Sequence, residues 1–238
     1  MANYATEGIV LHKVNYSETS LIIKVFTLKN GLQSFIYQGA KRKNKKGNLI
    51  SPLSIIDINY FQRVDSDLAK ISAVESEVSY KHIPFDPIKS GIVFFINEII
   101  YNSVKEEQYN PDMYHYLKSA LCILDVMEKP HNFAIQFLID FTKQLGFYPI
   151  VEPNAKFFDL VEGKFSKYSP NHPNYTEGEN VTLLLSLMNK KFADGHSVGM
   201  SANKRRRIIN DLINYYKVIF DNFKNIKSLP ILEMTFHD

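Results

Sequence analysis

The sequence predicts an α+β chain: an N-terminal five-stranded β-domain, then an α-helical bundle domain with a short irregular insert. Three observations predict it. Apolar residues alternate along short runs in the first eighty positions. Pro84 and Pro87, two prolines in four residues, mark a change of character. Beyond them the apolar residues recur at helical spacing. The expected domains are therefore 1–82 and 83–238, with the insert at about 148–179.

Each strand has its own warrant. Residues 7–14 alternate loosely. Residues 19–28 put Leu21, Ile23 and Val25 on one parity and Ile22, Lys24 and Phe26 on the other. Asn30-Gly31 follows, a hairpin signal because both residues tolerate positive φ. Residues 32–39 are the partner strand, and 53–62 and 68–77 are two more, separated by the polar stretch 63–67. Five short strands suit a small closed barrel or a compact sandwich. Closure would also remove exposed sheet edges.

The helices follow the same logic. Residues 88–105 place Ile92, Phe95, Ile96, Ile99 and Ile100 on one stripe. Pro111 suits the first turn of a second helix, capped by Asn110 and running to about residue 127. Pro130 opens a third, with Phe133, Phe137, Ile139 and Phe141 facing the core and Gly146 as its stop. Helical pattern resumes at 180–192 and 203–223. Within the insert, Glu162-Gly163 suggests a short hairpin between 157–161 and 164–168. The aromatic residues of this half read mostly as core, with Phe94, Phe95, Phe133, Phe137 and Phe141 at helical spacing.

Composition excludes several classes. The chain has 238 residues, 45% hydrophobic and 22% charged, which rules out wholesale disorder. No apolar run reaches the ~18 residues needed to span a bilayer. The longest candidate, 91–101, is broken by Asn97 and Glu98, so no membrane partner is expected. The first ten residues lack the basic and apolar pattern of a secretory signal. One cysteine, Cys122, excludes an internal disulfide and any multi-cysteine zinc cluster. A soluble, intracellular protein is expected.

Catalytic motifs find no support. Gly195-His196-Ser197-Val198-Gly199 matches G-x-S-x-G, but that elbow needs a strand before it, and the preceding pattern is helical. A loop between helices, with Ser201 capping the next one, fits better. No two of the seven histidines lie at i, i+4 spacing, and none has a cysteine nearby. Gly163-Lys164 is followed by Phe165, so there is no phosphate-cradling Walker loop. No enzyme activity, catalytic residue, metal or cofactor is expected.

Charge carries the functional signal. The net charge is +3, and the excess lies in residues 1–80, with 10 Lys/Arg against 7 Asp/Glu. Lys41-Arg42-Lys43-Asn44-Lys45-Lys46 puts five positive charges into six residues between Gly39 and Gly47. Charge runs are usually solvated turns. This one follows a hairpin, is bracketed by glycines, and repels itself unless a polyanion binds. Lys41, Arg42, Lys43, Lys45 and Lys46 are thus the candidate DNA contacts. Phe35 and Tyr37 share one strand face, and Lys24 and Phe26 share a face of the neighbouring strand. One such face must fill the barrel and the other could form a stacking platform with positive charge beside it, so Lys24 and Tyr37 join the candidates. Pattern alone leaves open which face fills the barrel.

A second basic cluster, Lys204-Arg205-Arg206-Arg207, is a possible secondary anion or partner site. Four adjacent helical positions span a full turn and cannot all face one way. Positive charge near a helix N-terminus also calls for an anion: Asp211, a partner's acidic tail, or phosphate.

Several stretches resemble one family. Gly8-Ile9-Val10-Leu11, Tyr16-Ser17-Glu18-Thr19-Ser20, Phe26-Thr27 with Asn30-Gly31, and Gly39-Ala40-Lys41-Arg42 resemble the start of RecO, the bacterial recombination mediator family. Leu145-Gly146-Phe147 is similar to the family's helix stop, and Tyr215-Tyr216 through Lys227-Ser228-Leu229 to its C-terminal segment. The resemblance implies an N-terminal OB-fold barrel, a helical bundle and an insert that holds a four-cysteine zinc site in some members. That zinc site does not carry over, since 148–172 contains no cysteine, so Phe157, Phe158, Leu160 and Phe165 are expected to hold the insert by packing. The resemblance further implies a non-enzymatic DNA repair protein of the bacterial cytoplasm and nucleoid. Such a protein binds single- and double-stranded DNA, anneals complementary strands, and helps load RecA onto SSB-coated strands with RecR. Lys41 and Arg42 match the family's basic loop. The SSB C-terminal tail is an implied partner. The alternative is a protein–protein adaptor whose helical domain binds acidic peptide tails, with DNA contact incidental.

Overall fold

The computed structural model describes residues 2–42, 46–63, 68–105, 109–190 and 192–236. Five strands open the chain: β1 (Ala2–Asn15), β2 (Leu21–Thr27), β3 (Gly31–Tyr37), β4 (Ile55–Gln62) and β5 (Leu68–Ser76). They close in the order β1-β2-β3-β5-β4, so the five-stranded OB-fold barrel, not the sandwich, is what forms. All neighbours are antiparallel except β3 and β5. Closure depends on β1 serving two partners. Its first half pairs with β4, from Ala2↔Gln62 to Ile9↔Ile55, and its second half pairs with β2. A register shift between Val10 and His12 bends the strand so that it turns the corner.

The alternation read along β2 is the barrel's inside–outside pattern. Leu21, Ile23 and Val25 point inward and join Val10, Phe35, Tyr37, Ile56, Ile58 and Tyr60 in one buried cluster. Phe26 points outward yet is only 1% exposed. Its cover is α2 (Pro111–Val126), whose Tyr114 ring stacks on it at 6.5 Å. Asn110 caps this helix, its Oδ1 accepting the Met113 amide at 2.9 Å. Two polar ties secure it. The Asp125 carboxylate accepts the backbone N–H groups of Lys81 and His82, each at 2.9 Å. Lys118 Nζ donates to Glu7 Oε2 at 2.7 Å and to Glu77 Oε1 at 2.8 Å.

The compact units reflect this. The first comprises 1–82 with 104–125, and the second 83–103 with 126–238. Helix α2 therefore groups with the barrel rather than with the other helices. Helical period shows that a segment has an apolar face, not which surface covers it.

Glu7, Asp57 and Glu77 bring carboxylate oxygens within 4.8 Å of one another, and Lys118 is the cation among them. Burial and the charges of Glu77 and Glu7 push the Asp57 carboxyl up. The Lys118 hydrogen bond and charge hold Glu77 low. Burial opposes the Lys118 charge, but its bonds to Glu7 and Glu77 outweigh that and raise its pKa. A lowered carboxyl stabilises the fold above its unfolded value and loses that contribution as pH falls through the folded one. A raised lysine loses its contribution only in alkali. Asp57 runs the other way, and its cost is relieved by acid. Lys118→Met should therefore cost about 1–2 kcal/mol at neutral pH. The deficit should narrow as pH falls through the carboxylate range. Denaturant titrations at neutral pH and at about pH 3 check this, and an equal deficit at both would assign Lys118 a packing role.

The second unit contains α1 (Pro87–Ser103), α3 (Phe133–Leu145), α4 (Glu179–Met188), α5 (Ala202–Ile219) and α6 (Leu229–Met234). The predicted stripe of α1 is buried, as are Phe133, Phe137, Ile139 and Phe141 on α3. Phe94 is a correction, since it is 45% exposed, one position off that stripe. Gly146 ends α3 in the left-handed conformation. Helix α6 carries no pattern long enough to read in the sequence.

The insert is a small four-stranded sheet of β6 (Ile150–Val151), β7 (Phe157–Asp159), β8 (Lys164–Ser166) and β9 (Tyr175–Glu177), in the order β6-β8-β7-β9. The hairpin read at Glu162-Gly163 is β7–β8. Phe158 and Phe165 stack face to face at 4.2 Å, and Tyr215 of α5 meets Phe158 edge-on at 5.2 Å. Phe158, Leu160 and Phe165 are buried, so stacked aromatic rings supply the insert's core. Phe157 sits at the margin, edge-on to Tyr175. No helix among the described residues is long and apolar enough to cross a membrane.

Candidate nucleic-acid interface

The basic segment leaves the barrel at the end of β3. Its neck is built by close backbone approach. Ala40 and Ile50 both belong to the barrel's buried cluster. A Cβ on Gly47 would lie 2.1 Å from the Ala40 carbonyl oxygen, so only glycine lets the two limbs meet. Lys13 of β1 ties one limb by donating to the Ile50 carbonyl at 2.6 Å. The Arg42 amide closes a turn onto Gly39 O at 2.9 Å.

The β1–β2 loop braces the other limb. The Lys41 amide donates to Thr19 O at 3.1 Å, and the Gly39 amide to Ser20 Oγ at 3.4 Å. This loop carries Tyr16, which is 61% exposed.

Lys41 and Arg42 are exposed. Lys43 and Lys45 lie outside the described residues. Lys46 pairs with Glu75 on β5 at 2.6 Å, with both side chains more than half exposed. Such an exposed pair is worth no more than about 1 kcal/mol, and a phosphate can displace the carboxylate. Lys24 is half-buried on the outer face of β2, opposite Ser34.

Tyr37 requires correction. It is 2% exposed and belongs to the barrel interior with Phe35. Its parity is the inward one, so it offers no ring to a ligand.

The second basic cluster is also a correction, because α5 turns its four residues to different partners. Ser201 caps the helix by accepting the Lys204 amide at 3.4 Å, as expected. Lys204 pairs with Glu179. Arg205 is buried, its Nε donating to Asn132 Oδ1 at 3.0 Å. Arg206 donates to Asn203 Oδ1 and to the Glu233 carbonyl. Burial raises the Asp211 carboxyl, while Thr176, Asn180 and the Arg207 charge pull it down. The four cations therefore do not share one face, and Arg205 is a structural residue.

The G-x-S-x-G string lies in a 3-10 turn after α4, with Ser197 Oγ donating to the Asp194 carbonyl at 2.8 Å. The described element before it is helix α4, so the strand-to-helix elbow is not formed.

Comparison with known proteins agrees with this architecture. The model for recombination protein O N terminal matches residues 1–80, and that for recombination protein O C terminal matches 84–219. The DNA repair protein RecO of Flavobacterium psychrophilum is 36% identical over 236 residues, covering 97% of this chain and 98% of its own. Those of Flavobacterium johnsoniae and Phocaeicola vulgatus are 34% and 32% identical over the same span. With a matching barrel, a matching helical segment and full-length relatives, this chain belongs to the RecO family of DNA repair and recombination proteins.

Proposed function

We propose that this protein binds single- and double-stranded DNA by neutralising its backbone, and anneals complementary strands without covalent chemistry. One observation carries the reading: a basic segment anchored by a close-packed neck at one end of an OB-fold barrel. The close-packed neck displays Lys41 and Arg42, and an exposed ion pair at Lys46 exchanges readily for phosphate. Two strands repel each other, and one cationic surface screens both. The gain lies in encounter and orientation.

Working in the bacterial nucleoid, it would help load RecA onto SSB-coated strands together with RecR, engaging the SSB C-terminal tail. Family membership supports this wider role. The adaptor alternative is less favoured, since Arg205 is buried against Asn132, Arg206 bonds to the Glu233 carbonyl, and the four cations of 204–207 present no single face. Annealing of complementary oligonucleotides by the purified protein, with and without SSB, tests the reading. Faster annealing that fades with added salt is the expected result. A rate equal to the protein-free rate at low salt would reject it.

A further inference from the structure

The barrel end opposite the basic segment holds a groove of about 590 Å³. At this end β1 begins, β4 finishes and the β2–β3 turn sits, whereas the basic segment leaves the far end of β3. A seven-residue strand such as β2 separates the two ends by about 20 Å.

The groove has a floor, a ring and a polar edge. Tyr60 is the floor, buried in the barrel core with Phe35 edge-on at 5.1 Å. Tyr4 stacks over it at 5.5 Å with 26° between the planes, and remains 47% exposed. Asn30 Nδ2 donates to the Tyr60 hydroxyl at 3.2 Å and to Gln33 Oε1 at 3.4 Å. That spends the donors of Asn30 and leaves its Oδ1 as an acceptor. Gln33 Oε1 also accepts from Thr27 Oγ1, which leaves Gln33 Nε2 as a donor. Lys29, held by the Ala5 carbonyl at 2.8 Å, puts a positive charge at the rim.

An exposed aromatic face beside one acceptor, one donor and one cation matches a nucleotide. A phosphate alone makes no use of the ring, and an apolar side chain makes no use of the amides. A duplex keeps its base faces stacked inside. We propose that this groove holds one unpaired base of a single strand, stacked on Tyr4 with its edge on Asn30 and Gln33. The proposal rests on the nucleic-acid reading above. A strand held by charge at one end of the barrel would have a base pinned at the other, and a duplex would use only the first contact.

The test uses the full chain, which contains no tryptophan. Tyr4→Trp places a single reporter on the stacking face. An oligothymidylate should quench its fluorescence, while an abasic strand of equal length and charge should bind without quenching. Tyr4→Ala should weaken binding of the natural strand about tenfold and leave the abasic strand unchanged, with the circular dichroism spectrum unaltered. Equal quenching by both strands, or a Tyr4→Ala variant that binds both as the parent does, overturns the proposal. So does quenching by free thymidine monophosphate at the concentrations at which the strand acts, which would make the groove a free-nucleotide site. If neither strand binds the parent chain, the underlying nucleic-acid reading fails as well.

Discussion

Reversing Lys41, Arg42 and Lys43 together to Glu is expected to abolish most DNA binding while leaving the fold intact. Each phosphate contact contributes a salt-dependent term through release of condensed counterions. With about five contacts, the parent's affinity should fall with salt at a log–log slope near −3.5 for single strands and −4.5 for duplex. Losing three of them should flatten that slope by about 2 to 3 and weaken binding at least about a hundredfold at low salt. Stability should hold, because Lys41 and Arg42 are exposed and the bonds anchoring this limb come from backbone amides. Labelled-oligonucleotide titration over a salt series, with thermal unfolding alongside, measures both. Unchanged affinity and slope would remove the loop as the contact, whatever the family association.

Asn132→Ala should strongly destabilise the second unit. Asn132 is 3% exposed and is a hub. Its Oδ1 accepts from buried Arg205, and its Nδ2 donates to the carbonyls of Gly195 and Val198 at 3.0 and 2.8 Å. Truncation takes a partner from a buried guanidinium and leaves two carbonyls short of a donor. A hydrogen bond to a charged group contributes about 1.5–3 kcal/mol, and each buried group left without a partner adds about 1–3 kcal/mol. Denaturant unfolding should show a loss of about 3 kcal/mol or more, with faster amide exchange across the Phe192–Ser197 turn. A loss below about 1 kcal/mol would mean that water replaces the amide and that the hub is dispensable. DNA binding at low temperature should persist in either case, which separates this residue from the basic loop.

The run 204–207 illustrates what a sequence conceals. Helical spacing shows that its four cations cannot share one face, but not which of them turns inward. On α5 each position points elsewhere, and Arg205 points inward to Asn132. Tyr37 is a related case. Parity assigned it correctly to the face shared with Phe35, but which face lines the barrel depends on closure.

What the sequence determined by itself is the local and periodic content: five strands, the Asn30-Gly31 turn, the apolar stripes of α1 and α3, the cap at Ser201 and the cationic run after β3. Those follow from short-range rules of dihedral preference, spacing and charge. Only the tertiary structure decided that α2 covers Phe26, that Gly47 meets Ala40 to form a neck, and that Tyr4, Asn30 and Tyr60 share one groove. These are encounters between residues up to about ninety positions apart. Their partners are chosen by which apolar surfaces remain uncovered once the barrel closes, a property of the folded shape rather than of any one segment.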